Sequence, residues 1–227
     1  MGTRRLDRDI PGPDRRVDSH EVLEKGWEAL FTPDLAPPLR LVVEVGFGRG
    51  EFLVDLAERH PETAFVGIEL SAKRAHKMAR RLARTELGNV RVLVGRAERA
   101  VEELFAPGSV AEFWINFSDP WPKKRHHKRR LIQPAFVADL AVRLAPGGEL
   151  QVATDDPGYA EWIDAVLAGE PRLANANAPA PHLRDVPGRT RTSFEEEWRG
   201  KGRIPYFWTY RRVAGDPAPP EEPRERP

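Results

Sequence analysis

Between positions 41 and 213 the chain alternates short β-branched runs with longer stretches whose apolar residues recur at helical spacing. Few architectures accept that alternation. Strands are predicted over 40–45, 64–69, 90–94, 112–117, 149–154 and 206–213. Helices are predicted over 51–59, 72–85, 99–105, 131–144, 159–167 and 194–199. In 72–85, Ala, Met and Leu fall on one face and Arg and Lys on the other, as on a surface helix. Strands that take turns with helices imply a doubly wound α/β fold, a mostly parallel sheet covered on both faces with right-handed crossovers. The stretch 171–189 is rich in Ala, Asn and Pro and carries no clear period.

The ends behave differently. Residues 1–18 hold five Arg among Asp, Pro and Gly and read as a flexible basic arm. Residues 214–227, dense in Pro and Glu, read as a disordered tail. One domain over 19–213 is expected between them. The chain has 227 residues and no cysteine, which excludes a disulfide framework, cysteine-based metal centres and thiol nucleophiles. No apolar run reaches the roughly 20 residues of a membrane span, and the amino terminus has no apolar signal core. A soluble, cytoplasmic protein is expected. With 36 basic and 35 acidic residues the net charge is +1, so bulk charge points to no partner.

The first predicted strand runs into Leu41-Val-Val-Glu44-Val-Gly46-Phe-Gly48-Arg-Gly50. Glycines there permit a tight turn and close approach to a ligand at the carboxyl edge of the sheet. A dinucleotide fingerprint would require glycine at position 51, where the chain has Glu51. A carboxylate at Glu44 suits a cation better than a pyrophosphate, which favours the ammonium of S-adenosylmethionine over NAD. Glu69 ends the second strand in Val66-Gly-Ile-Glu69, where a carboxylate can accept both ribose hydroxyls of an adenosine cofactor.

The fourth strand leads into Asn116-Phe-Ser118-Asp119-Pro120-Trp121-Pro122, followed at once by Lys123-Lys124-Arg125-His126-His127-Lys128-Arg129-Arg130. Six formal positive charges fall within those last eight residues. An isolated basic run is usually a solvated face. This one follows a strand at the cofactor edge, beside a proline-stiffened turn, and suits phosphate contacts with some stacking.

These segments carry a resemblance. The Glu44–Gly50 loop, Gly67-Ile-Glu69 and, above all, the Asn116–Arg130 segment are similar to the bacterial tRNA (guanine-N7-)-methyltransferase family. Ala153-Thr-Asp155 and Arg191-Thr-Ser-Phe-Glu195 match in order and spacing, so the resemblance spans about residues 20–213. It implies a Rossmann-like class I methyltransferase with a seven-stranded sheet, S-adenosylmethionine as cofactor, no metal, and tRNA as substrate, methylated at a variable-loop guanine. The enzyme would be a monomer or homodimer with no membrane association.

By the same resemblance Glu44, Gly46, Gly48 and Glu69 bind the cofactor. In Gly95-Arg96-Ala97-Glu98, where the usual motif has Gly-Asp-Ala, either backbone groups at Arg96 and Ala97 meet its adenine or Glu98 substitutes. Asp119 is the catalytic candidate and also borders the cofactor. Lys123, Asp155, Thr192, Ser193, Phe194 and Glu195 contact the substrate, with Ser193 standing where the family usually has Lys. Lys124, Arg125, Lys128 and Arg129 meet the RNA backbone.

Several of these residues have a plainer structural reading as well. Asp119 can start a turn before proline, Thr192-Ser-Phe-Glu195 is a capping box, and Asp155-Asp156-Pro157 is a good helix start. A second chemistry, methylation of an exocyclic amino group, often uses an Asn/Asp-Pro-Pro-aromatic segment, from which Trp121 departs.

Overall fold

The computed structural model describes residues 10–214. In chain order its elements are β1 (Arg16–Val17), α1 (Ser19–Phe31), β2 (Leu41–Val45), α2 (Glu51–Arg59), β3 (Ala64–Glu69), α3 (Ala72–Leu82), β4 (Val90–Val94), α4 (Ala97–Leu104), β5 (Val110–Asn116), α5 (Pro134–Arg143), β6 (Leu144–Thr154), α6 (Pro157–Ala168), β7 (Leu173–Asn175), α7 (Ser193–Gly200) and β8 (Tyr206–Arg212). A 3-10 turn spans Lys124–Arg129.

Among the described residues eight strands form one sheet, in the order β1-β4-β3-β2-β5-β6-β8-β7. Pairings from β1 through β6 are parallel, whereas β8 runs antiparallel to both β6 and β7. The expected seven-stranded class I methyltransferase sheet is thus present with one addition. The extra strand is β1, where Arg16 and Val17 pair with Val92 and Leu93. The basic arm expected over 1–18 is therefore docked at its carboxyl end. Arg15 pairs with Asp34 at 2.7 Å, and its carbonyl accepts the Val92 N–H. Residues 1–9 of that arm lie outside the described residues, as does the expected tail except for Ala214.

Period-two alternation places the core on both sheet faces. In β2, Leu41, Val43 and Val45 join one apolar cluster with β3's Ala64, Val66 and Ile68 and with α1, α4 and α5. Val42 and Phe65 point the other way, into a cluster with Leu53 and Val54 of α2 and Ala75 and Met78 of α3. A strand buried on both faces reads as a continuous apolar run, which is why β2 and β3 are plain in the sequence.

Several boundaries differ from expectation, and two of them show why. The strand expected from 149 begins at Leu144, because Leu144 pairs with Val110 ahead of the Pro146-Gly147-Gly148 bulge. The helix expected from 131 begins only at Pro134, which occupies its first turn. The long antiparallel pairing of β8 with β6 then places the closing strand between β6 and β7.

Gly67 shows how tightly β3 meets the layer above. A Cβ there would stand 2.6 Å from a Leu53 methyl and 2.7 Å from the Phe47 ring. Phe47 belongs to the glycine loop, so this contact sets the height of the loop over the sheet. Gly67→Ala should lower stability by about 1–3 kcal/mol, the usual range for overpacking a closed core. In urea titrations the midpoint should fall with little change in slope.

Candidate active site

Strand order reverses direction between β2 and β5, and in open α/β sheets ligands bind beyond the carboxyl ends of strands at such a switch. Both motif loops leave the sheet there. Gly46, Gly48 and Gly50 adopt φ of 74°, 58° and 74°, the left-handed region that glycine enters without a side-chain penalty. Two hollows open over the switch. They share Gly46, Arg74, Asn116, Phe117 and Asp119 in their walls.

The first hollow adds Glu44, Gly48 and Thr192–Phe194. Glu44 is 2% exposed. Its Oε1 accepts from Asn116 Nδ2 at 3.2 Å, while its Oε2 is buried without a hydrogen-bond partner. Burial pushes its carboxyl up to about 7, against the Asn116 hydrogen bond and the Arg189 charge, and nearby Glu69 pushes the same way. A buried carboxylate oxygen with no donor is costly. One that lines a cleft suits an incoming cation.

The second hollow adds Glu69, Gly95–Glu98, Trp121, Lys128 and Arg129. Glu69 accepts from the Gly48 N–H at 3.1 Å and the Ser71 N–H at 2.9 Å. Those bonds fix the carboxylate and leave acceptor capacity for two hydroxyls. The donor and acceptor set therefore fits an adenosine that carries a cationic tail: Glu69 for the ribose, the rim at Arg96 and Ala97 for the base, and Glu44 for the ammonium.

Beyond β5 the backbone is strained at two non-glycine residues, Phe117 (φ 54°) and Trp121 (φ 44°). Such strain gathers at sites where a side chain must be aimed. Asp119 lies between them, exposed and bordering both hollows. The basic run folds back on this turn. The Arg129 guanidinium sits 5.0 Å from the Trp121 ring centroid, and His126 meets the same ring edge-on at 5.8 Å. Arg130 is buried, donates to the Pro120 carbonyl at 2.9 Å and stacks on Tyr159. It clamps the turn.

A buried polar tie closes the first hollow. Asn116 accepts from Arg189 Nη2 at 2.6 Å, and Arg189 Nη1 donates to Glu195 Oε2 at 2.6 Å. Arg199 holds the other Glu195 oxygen at 2.9 Å. The side chains of Arg189 and Glu195 are 7% and 1% exposed. The guanidinium also stacks against Phe52 and Phe207. Burial pulls the Arg189 guanidinium below its ordinary range, and the Glu195 and Glu44 charges pull it back. Separately, Glu51 at the start of α2 accepts from the Ser193 hydroxyl and, at 3.4 Å, from its N–H.

The cleft thus gathers Glu44, Gly46, Gly48, Glu69, Arg96, Ala97, Asp119, Thr192, Ser193, Phe194, Lys128 and Arg129 in its walls. It leaves out five expected residues. Lys123, Lys124 and Arg125 stand exposed outside the lining. Asp155 pairs with Arg203 at 2.5 Å. Glu195 spends its carboxylate on two arginines and does not return to the cap, although Thr192 Oγ1 accepts the Glu195 N–H as a capping residue should.

Sequence reasoning missed Asn116, Arg74 and Arg189. Arg189 lies in the stretch without a period, and only its place three residues before the Thr192 box marks it.

Known proteins resemble this chain over most of its length. A family model described as "Putative methyltransferase" matches residues 39–207. A tRNA (guanine-N(7)-)-methyltransferase of Alkalilimnicola ehrlichii is 40% identical over 84% of this chain and 85% of its own length. A protein of the same name from Leifsonia xyli is 41% identical over 74% of each chain. Among solved structures, the 16S rRNA methyltransferase KamB superposes with a TM-score of 0.59 at 17% identity, covering 83% of this chain and 93% of that one. It shares the fold.

The tie through Arg189 can be tested without a ligand. Arg189→Met keeps most of the volume but leaves the Glu195 carboxylate and the Asn116 oxygen short of donors. Stability should fall by about 3 kcal/mol, since removing one partner of a buried ion pair strands the other. Adding Glu195→Gln should recover part of that loss. Urea denaturation of the two variants measures both effects, and equal midpoints for Arg189→Met and the unsubstituted protein would contradict the tie.

Proposed function

The chain belongs to the tRNA (guanine-N7-)-methyltransferase family, and on that basis we infer that it transfers a methyl group from S-adenosylmethionine to N7 of a guanine in tRNA, the variable-loop guanine being the target. One arrangement carries the reading at the level of chemistry. A buried carboxylate with a free oxygen, a carboxylate fixed for ribose and an exposed aspartate flanked by cations meet at one switch in strand order.

S-adenosylmethionine, when bound, supplies an electrophilic methyl group. Glu44 receives its ammonium, Glu69 its ribose hydroxyls, Gly46 and Gly48 let the backbone come close, and Arg96 and Ala97 border the adenine. Guanine N7 carries a free lone pair, so no residue has to remove a proton before attack. The protein's contribution is then positioning and electrostatics. The purine becomes cationic as N7 is alkylated, and the negative charge of Asp119 stabilises that developing charge. The same carboxylate can accept from the guanine N1–H and 2-amino group.

Phe194, 42% exposed and packed 5.3 Å from Phe117, offers an apolar surface to the base. Thr192 and Ser193 start α7 beside it. Glu195 acts through Arg189 by holding this segment in place. Lys123, Lys124, Arg125, Lys128 and Arg129 take the phosphates, and Asp155 orients Arg203 at the carboxyl end of β6.

Methylation of unmodified tRNA transcripts followed by mass spectrometry of the nucleosides tests the reading. The expected product is 7-methylguanosine, and N6-methyladenosine would overturn it. Asp119→Ala should lower kcat by about 100-fold or more, the scale seen when a transition-state charge partner is removed, while cofactor binding persists. Full methyl transfer with collapsed RNA binding would reverse the role given to Asp119.

A pH dependence follows from Glu44. Its carboxyl is raised to about 7 by burial, so below that pH the free site is mostly protonated and neutral. A cationic ligand binds the ionised form. Affinity for S-adenosylmethionine should therefore strengthen as pH rises from 6 to 7.5, and binding near pH 6 should release a proton. Calorimetry in buffers of different ionisation enthalpy reads that proton. Glu44→Gln should weaken binding and abolish the buffer dependence.

A further inference from the structure

The most uneven charge outside the cleft lies on α3. Lys73, Lys77, Arg80 and Arg81 are all exposed on this helix, and Arg84 is exposed in its closing turn. At 100° per residue these five fall within an arc of about 100°, in a stripe about 16 Å long. The opposite face is Ala75, Met78, Ala79 and Leu82, all buried. None of the five cations has an ion pair or side-chain hydrogen bond among the described residues.

The other helices treat their cations differently. Lys25 in α1 pairs with Glu21 at 2.9 Å, Arg99 in α4 with Glu103 at 2.9 Å, and Arg199 in α7 with Glu195 at 2.9 Å, each four residues apart. Arg59 pairs likewise with Asp55 in α2. That is how a solvated helix face is normally stabilised. On α3 the same spacing sets Lys73 beside Lys77, Lys77 beside Arg81 and Arg80 beside Arg84. Like charges at that spacing are unfavourable. A chain of net charge +1 that pairs cations on α1, α2, α4 and α7 leaves these five without an ion pair among the described residues.

The stripe also has a direction. α3 starts at the carboxyl edge of the sheet, and Arg74 in its first turn lines both hollows. Lys128 and Arg129 line the second hollow with it. The stripe therefore begins at the rim of the cleft and leads away along the outer face of the sheet. We propose that the exposed face of α3 is a second phosphate-binding surface for the tRNA, separate from the 123–130 segment, which holds an arm of the RNA that lies away from the reacting guanine. This rests on the substrate class inferred above. The partner is a polyanion of regular charge spacing, because the cations form a line and not a pocket, and no apolar residue interrupts them.

The test uses the full chain with Lys73→Gln, Lys77→Gln, Arg81→Gln and Arg84→Gln combined. None of these residues lines the cleft, so S-adenosylmethionine affinity should be unchanged. Relief of repulsion should leave the melting temperature unchanged or raise it. The Kd for unmodified tRNA transcript should rise about tenfold or more near 0.15 M salt. The slope of log K against log salt should become shallower by about 2 to 3, since each lost phosphate contact removes about 0.9. A Lys77→Gln/Arg84→Gln pair should give about half the change in slope.

An unchanged Kd and slope in the fourfold variant would overturn the proposal while the unsubstituted protein still methylates tRNA. So would a variant that binds tRNA normally but loses affinity for vesicles of anionic lipid. Failure of the unsubstituted protein to bind or methylate tRNA would instead remove the substrate reading itself, and the proposal with it.

Discussion

A single buried guanidinium holds the two halves of the cleft together. The segment from Ala176 to Thr192 has little regular structure, so few backbone ladders attach it to the domain. Arg189 supplies what ladders would. It bonds Asn116 at the end of β5 and Glu195 in α7, and it stacks between Phe52 of α2 and Phe207 of β8. A buried cation is tolerable only with its donors paired, and only one placement of the loop pairs them. The polar tie therefore specifies the loop's position more strictly than apolar packing would, because a shifted loop would strand charges and not merely loosen contacts.

The same tie reaches the cofactor side. Asn116 gives its amide to Glu44 and its carbonyl to Arg189, so its orientation is fixed from both ends. Glu44 keeps one oxygen without a donor, and the positive charge that favours its ionised form belongs to Arg189. A site that must receive a cation cannot neutralise its own carboxylate with a direct arginine partner. Here the arginine sits one side chain away. It is near enough to lower the cost of the charge and too far to occupy the oxygen.

Much of the sheet was legible in the sequence because β2, β3 and β4 are buried on both faces and read as mostly apolar runs, interrupted only by Glu44, Glu69 and Arg91. The glycine loop and the Asp119–Trp121 turn were legible because their chemistry is local, a few residues with constrained backbones. What was not legible depends on pairing at long range. Two residues, Arg16 and Val17, make a strand only because β4 would otherwise be an open edge. α1 is broken by Gly26 at φ 75°, which blurs its period. Arg189 is an ordinary residue in an irregular stretch until Asn116 and Glu195 lie beside it. Glu195 shows the converse. Its place in a recognisable motif suggested a ligand contact, and the fold gives its carboxylate to two arginines.

Charge separation gives the near-neutral total its meaning. Forces between exposed charges fade over about 8–10 Å in physiological salt, so a net charge of +1 says little about what any one face attracts. Paired cations on α1, α2, α4 and α7 contribute almost nothing beyond that distance. The unpaired ones concentrate at the 123–130 turn and along α3, and both meet the rim of a cleft whose inner wall is acidic at Glu44, Glu69 and Asp119. A small cation and a long polyanion can then be drawn to adjacent places without competing for the same groups. The arrangement requires the acidic wall to be recessed and the basic surfaces to project. The parallel sheet meets that requirement for Glu44 and Glu69, because the strand ends bury these two carboxylates while the loop and helix that follow carry the cations outward, and Asp119 stays exposed between the two.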